Sequence, residues 1–136
     1  MIGFEQLRLL TQELTLLYVE DVEEIREQMG HIFTALFKEV VFAANGEEGL
    51  ARFGERGFDL VISDVMMPVM NGVQMCNRIK QIKPDQHVII ISASNEGQLV
   101  NEGLRVAVDG FILKPVISSQ FNTALFTAAR AITGRQ

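Results

Sequence analysis

One cysteine, Cys76, stands alone among 136 residues. That excludes an internal disulfide framework and suits a reducing compartment. Positive charge is also scarce: 12 Lys and Arg face 17 Asp and Glu, for a net charge of −5. Such a balance argues against a nucleic-acid surface. No apolar run approaches membrane-spanning length. The opening residues mix Glu5 and Arg8 with apolar ones and lack a small-residue cleavage site, so they make a poor secretory signal. The expected location is the cytoplasm, with no membrane and no direct nucleic-acid partner. Internal repeats and low-complexity tracts are missing too. What is abundant is apolar residue, 48% of the chain, enough for one domain with a real core.

The apolar residues fall into short runs. Leu60-Val61-Ile62-Ser63-Asp64 is the clearest, and it suggests a strand buried on both faces. Asp64 closes it, Pro68 stops regular structure, and Asn71-Gly72 turns the chain into a helix from Val73 to Gln81. Further strands are expected at Leu14–Val19, ending in Glu20-Asp21, at Val40–Ala44, at His87–Ile91, ending at Ser92, and at Gly110–Leu113, ending in Lys114-Pro115. Val22, Ile25, Met29, Ile32, Phe33 and Leu36 step by three and four along an amphipathic helix. Asp21 followed by Glu24 resembles a capping box at its start. Asn45, with Glu48 three residues on, caps the next helix. A helix over about Glu96 to Val106 carries two unfavourable glycines, Gly97 and Gly103, each costing about 1 kcal/mol relative to Ala. A last helix runs from Ser119 to about Ile132, and a short leading helix over Phe4 to Glu13 uses Phe4, Leu7 and Leu10. The domain proper is thus expected over residues 14–132, with an N-terminal extension over 1–13 and a stub over 133–136.

Alternating strands and helices imply a parallel sheet with helices on both faces. Every strand then ends on one edge, which gathers Glu20, Asp21, Asp64, Ser92 and Lys114 there. Crowded carboxylates require a proton or a cation. Oxygen-only donors suit a hard ion such as Mg²⁺. A cation, a lysine, a hydroxyl and helix N-termini around one acid make a receiver for a phosphoryl group, with Asp64 as nucleophile.

The ordered set of Glu20-Asp21, Asp64, Met67-Pro68, Asn71-Gly72, Ser92-Ala93 and Lys114-Pro115 resembles the two-component response-regulator receiver domain, the CheY-like family, from Leu14 to about Ile132. The resemblance implies a doubly wound α/β fold with strand order 2-1-3-4-5. It implies phosphotransfer from the phosphohistidine of a sensor histidine kinase, or from a phosphotransfer protein, to Asp64 with Mg²⁺. Asp21 would then bind the metal directly, Glu20 through water, and the Met66 backbone carbonyl would complete the protein ligands beside Asp64. It also implies a cis Lys114-Pro115 bond, and a switch in which Ser92 approaches the phosphoryl group as Phe111 turns inward. Phe111 stands where tyrosine is commoner. Ala107 replaces a usual glycine, and the Glu96–Val106 helix is expected to be the loosest element, ordered by phosphorylation. Met66 and Ser94 flank the path of a hydrolytic water. Met66 cannot orient it strongly, so a persistent phosphoryl group is expected.

Other readings exist for single residues. Asp64 alone could be a turn residue, Glu20-Asp21 a helix cap, Lys114 a solvated lysine, and Ser92 a turn cap. Cys76 reads as core, His31 as solvated, and His87 as unsuited to metal binding. Phe126 lies on the last helix away from Phe121 and Leu125. It is either an isolated exposed residue or a mark of the face made by the Glu96 helix, the fifth strand and the last helix, where an output domain or second copy would dock. A haloacid-dehalogenase-like phosphatase needs a second acid where Met66 stands. A flavodoxin-like cofactor binder would have its phosphate repelled by Glu20-Asp21. A docking module working without phosphorylation, or a segment of a hybrid kinase or larger regulator, remains compatible with the residues. No DNA-binding, cyclase or kinase segment is expected in residues 133–136, so the domain either acts alone through contacts or belongs to a longer chain.

Overall fold

A computed structural model of the chain describes residues 2–134. Its strands are β1 (Thr15–Val19), β2 (Glu39–Ala43), β3 (Leu60–Asp64), β4 (His87–Ser92) and β5 (Gly110–Leu113). Its helices are α1 (Phe4–Thr11), α2 (Glu23–Leu36), α3 (Gly46–Glu55), α4 (Gly72–Ile82), α5 (Glu96–Asn101) and α6 (Ser118–Thr133). Every strand pair is parallel, in the order β2-β1-β3-β4-β5. This is the doubly wound α/β architecture that the alternation implied. β1 lies between β2 and β3, so connections leave it in opposite directions, and the crevice at its C-terminal end is where such sheets bind ligands.

Strand periodicity divides the interior in two. Leu16, Tyr18, Leu60, Ile62, Ile89 and Ile112 face a core closed by α1, α2 and α6. Leu17, Val19, Val61, Val88 and Ile90 face a second core closed by α3, α4 and α5. Each such side chain, once fully buried, contributes about 1.5–3 kcal/mol. β3 is buried at all five positions, as its unbroken apolar run requires. Cys76 is buried on α4, and desolvation lifts its thiol to about 12. It is core, as expected.

Several local expectations need correction. The Asp21 capping box does not form: the N-cap of α2 is Val22, with no side-chain cap bond. On the same loop the Val22 N–H is taken by Glu20 Oε2 at 3.1 Å. Ile32 is exposed rather than part of the apolar stripe. α5 stops at Asn101, well short of Val106. Gly103 adopts φ +80°, which ends the helix. The following loop is held by Asn77 Nδ2 donating to Arg105 O at 2.7 Å. Phe126 is not an exposed marker: it is half-buried, packs against the first core, and lies under the Arg130 guanidinium. Leu7 and Leu10 of α1 are buried, while Phe4 is not. Thr11 Oγ1 also donates to Leu36 O at 2.8 Å, tying α1 to the end of α2. Met1, Arg135 and Gln136, the last two in the foreseen stub, lie outside the described residues.

Candidate functional site

β3 carries Asp64 to the C-terminal edge, where the carboxylate is 5% exposed. Its two oxygens have different partners. Oδ1 accepts from the Val65 N–H at 2.9 Å, and Oδ2 accepts from Lys114 Nζ at 3.0 Å. Lys114 follows β5, and its peptide bond to Pro115 is cis. Its own N–H donates to Ser92 O at 2.7 Å, which fixes the lysine beside the end of β4. Ser92 is buried, and its Oγ accepts from the Ser94 N–H at 3.0 Å.

Glu20 and Asp21 leave β1 next to Asp64. One carboxylate oxygen from each of Glu20, Asp21 and Asp64 lies within 4.8 Å of the others. Glu20 is only 2% exposed. Burial pushes its carboxyl up from 4.5 to about 7; the Val22 N–H lowers it, and the charge of Asp64 and a bond to Asp21 raise it further. Lys114 opposes the rise from across the site. Three carboxylates at this spacing, one of them buried and raised, mark a place suited to positive charge. The donor set is all oxygen and fits a hard divalent cation, which Glu20, Asp21 and Asp64 would hold.

The loop after Asp64 is tightly folded. Gly72 N–H donates to Val65 O at 2.9 Å, and Met70 N–H to Pro68 O at 2.8 Å. The second bond closes a three-residue turn around Val69, whose φ is +70°. Asn71-Gly72 turns the chain into α4 as expected, and Asn71 also caps that helix by accepting the Gln74 N–H at 2.8 Å. A Cβ on Gly72 would overlap Asp64 O, so only glycine allows α4 to start this close. Met66 projects into solvent at 70% exposure, whereas Met67 is buried. Phe111 is half-buried and lines a cavity of about 430 Å³ with Val73, Ile90, Leu99 and Val106.

Every residue singled out at the sheet edge is therefore present there, with Phe111 three residues before Lys114 within β5. Two features went unread. Ser63 is buried, and its hydroxyl donates to Asp64 O at 2.8 Å. Its signal was a lone polar residue inside an otherwise apolar strand. His87, set aside as a metal ligand, instead pairs through Nδ1 with Asp109 Oδ1 at 2.9 Å, a partner 22 residues away.

The comparisons agree with this geometry. The family model described as response regulator receiver domain matches residues 16–126. The chain belongs to that family. It is 36% identical to the transcriptional regulatory protein AfsQ1 of Streptomyces coelicolor, over 75% of this chain and 45% of that protein. It is 33% identical to the chemotaxis protein CheY of Thermotoga maritima, over 80% of this chain and 92% of that protein. A solved CheX-CheY-BeF3-Mg+2 complex from Borrelia burgdorferi superposes with a TM-score of 0.73 at 27% identity, covering 90% of each chain. The chain thus spans about half of the first of these relatives and nearly all of the second. Among the described residues no helix is long and apolar enough to cross a membrane.

Proposed function

We propose that this receiver domain takes a phosphoryl group onto Asp64 from the phosphohistidine of a sensor histidine kinase or phosphotransfer protein. The observation that carries the reading is one buried carboxylate with an ammonium at 3.0 Å and two further acids within 4.8 Å. As the P–O bond to Asp64 forms, the donor's P–N bond breaks, and the imidazole keeps the electron pair and picks up a proton. Lys114 stabilises the negative oxygens of the transferring group. Val65 N–H holds the carboxylate in place. A bound Mg²⁺ would supply Lewis-acid charge neutralisation at Glu20, Asp21 and Asp64. Support for that ion comes from the donor set and from the magnesium named in the Borrelia CheY complex.

Phosphorylation then alters a partner-binding face. Ser92 lies at the end of β4, and Phe111 borders an open cavity beneath the loop that follows α5. Movement of Ser92 toward the phosphoryl group and of Phe111 into the core would reshape α5, β5 and α6, the surface offered to an output domain or a second copy. Met66 offers water no strong hydrogen bond, so the phosphoryl group is expected to persist.

Intact-protein mass spectrometry after incubation with acetyl phosphate and Mg²⁺ tests the reading. One phosphate should be added to the native chain and none to Asp64→Asn. An undiminished adduct in that variant would overturn it. Loss of the adduct within seconds would overturn the expected persistence alone.

A further inference from the structure

We infer that Ser63 is a positioning residue for phosphoryl transfer, acting through the peptide that joins Asp64 to Val65. The inference rests on the phosphoacceptor role of Asp64. That peptide is one rigid plane with a carbonyl on one side and an N–H on the other. Its carbonyl, Asp64 O, accepts the Ser63 hydroxyl at 2.8 Å. Its N–H donates both to Asp64 Oδ1 at 2.9 Å and to Ile91 O at 3.1 Å. The same plane therefore carries the donor that selects the carboxylate's rotamer. Rotate the plane, and Oδ1 loses its anchor while Oδ2 stays on Lys114.

On the carbonyl side the side-chain contact is the Ser63 hydroxyl. A Cβ on Gly72 would overlap Asp64 O, and the Gly72 N–H is taken by Val65 O. Ser63 itself is fully buried, so water has no route to replace its hydroxyl. Removing that hydroxyl takes its side-chain donor from a buried carbonyl and loosens one side of the plane. A tilt displaces the nucleophilic oxygen from the line of attack, and small misplacements of reacting atoms are costly in rate. Apolar packing alone does not call for a hydroxyl at this position. Val61, two residues earlier on the same face of β3, fills its place with a plain branched side chain.

The test compares native chain, Ser63→Ala and Ser63→Thr with acetyl phosphate at saturating donor and Mg²⁺. Ser63→Ala should transfer about tenfold more slowly at saturation, and its Val65 amide should exchange faster. Ser63→Thr keeps the hydroxyl and should stay within about threefold of native. A native rate in Ser63→Ala, or a Thr variant as slow as the Ala variant, overturns the inference. If Ser63→Ala does not fold, the Thr variant still decides: loss of rate with unchanged thermal midpoint counts against the hydroxyl. A native chain that accepts no phosphate at all defeats the phosphoacceptor reading itself. A phosphorylated native chain with an indifferent Ser63→Ala defeats only the positioning role.

Discussion

The two edges of the sheet treat aspartate in opposite ways. At the N-terminal edge, Asp59 precedes β3 and accepts the Thr15 N–H at 2.9 Å and the Thr15 hydroxyl at 3.1 Å. Asp109 precedes β5 and accepts the Val88 N–H at 2.8 Å and the His87 ring at 2.9 Å. Each fastens its strand to the neighbour, and each is separate from other acids of the cluster type. At the C-terminal edge, Glu20, Asp21 and Asp64 crowd together with one lysine among them. There the charges are left in excess of their partners. A carboxylate that stands apart and spans two strands is a structural clip, whereas one crowded by two further acids is a reactive group, although each accepts a backbone N–H.

The sharpest way to break this contrast is to neutralise one acid at each edge. Asp64→Asn should abolish phosphate incorporation, and Asp59→Asn should leave it intact, both read by intact mass. Next in size, Lys114→Ala should slow phosphorylation by about 10²–10³-fold, the scale of losing one fixed stabiliser of developing charge; a rate within threefold of native would remove lysine from the chemistry. Asp109→Ala should cost about 1–3 kcal/mol in urea unfolding, because it strips the Val88 N–H and His87 of their acceptor. The same variant should bind Mg²⁺ as the native chain does, measured by tryptophan-free calorimetric titration.

The smallest effect expected is in pH. The Glu20 carboxyl is raised from 4.5 to about 7 by burial in the folded chain. The native state therefore holds a proton that the unfolded chain releases more readily. The resulting stability is fully present below the unfolded value of 4.5 and is lost as pH rises through about 7. In chelator, the thermal midpoint should fall across that window, and Glu20→Gln should flatten the fall. Added Mg²⁺ should restore the midpoint above it, because a ligand bound only by the native state stabilises that state. A midpoint that climbs steadily through the window would contradict the account of Glu20.

Much of this was legible from the chain. A branched apolar run with an acid, a serine or a lysine at its end fixes both a strand and the edge to which it delivers that group, which is why Asp64, Ser92 and Lys114 could be placed together. Helix limits were harder. Gly103 was read as a weak point inside a helix, but its left-handed backbone and the Asn77 bond to Arg105 O end α5 early. Spacing carries no record of a contact between α4 and a distant loop. Phe126 looked solitary on a helical wheel, since the wheel cannot show the first core reaching around to cover it. Ser63 and the His87–Asp109 pair were missed for related reasons: one hydroxyl bonds to the very next residue's carbonyl, and the other contact joins segments that only the sheet brings together.

The bond from Lys114 N–H to Ser92 O has a mechanical consequence. It tethers the two strand ends whose side chains flank the acid, so the hydroxyl and the ammonium do not shift independently. A pull on the backbone at Ser92 reaches the Lys114 peptide through one short link. The tips of β4 and β5 are thus joined as one rim beside the carboxylate.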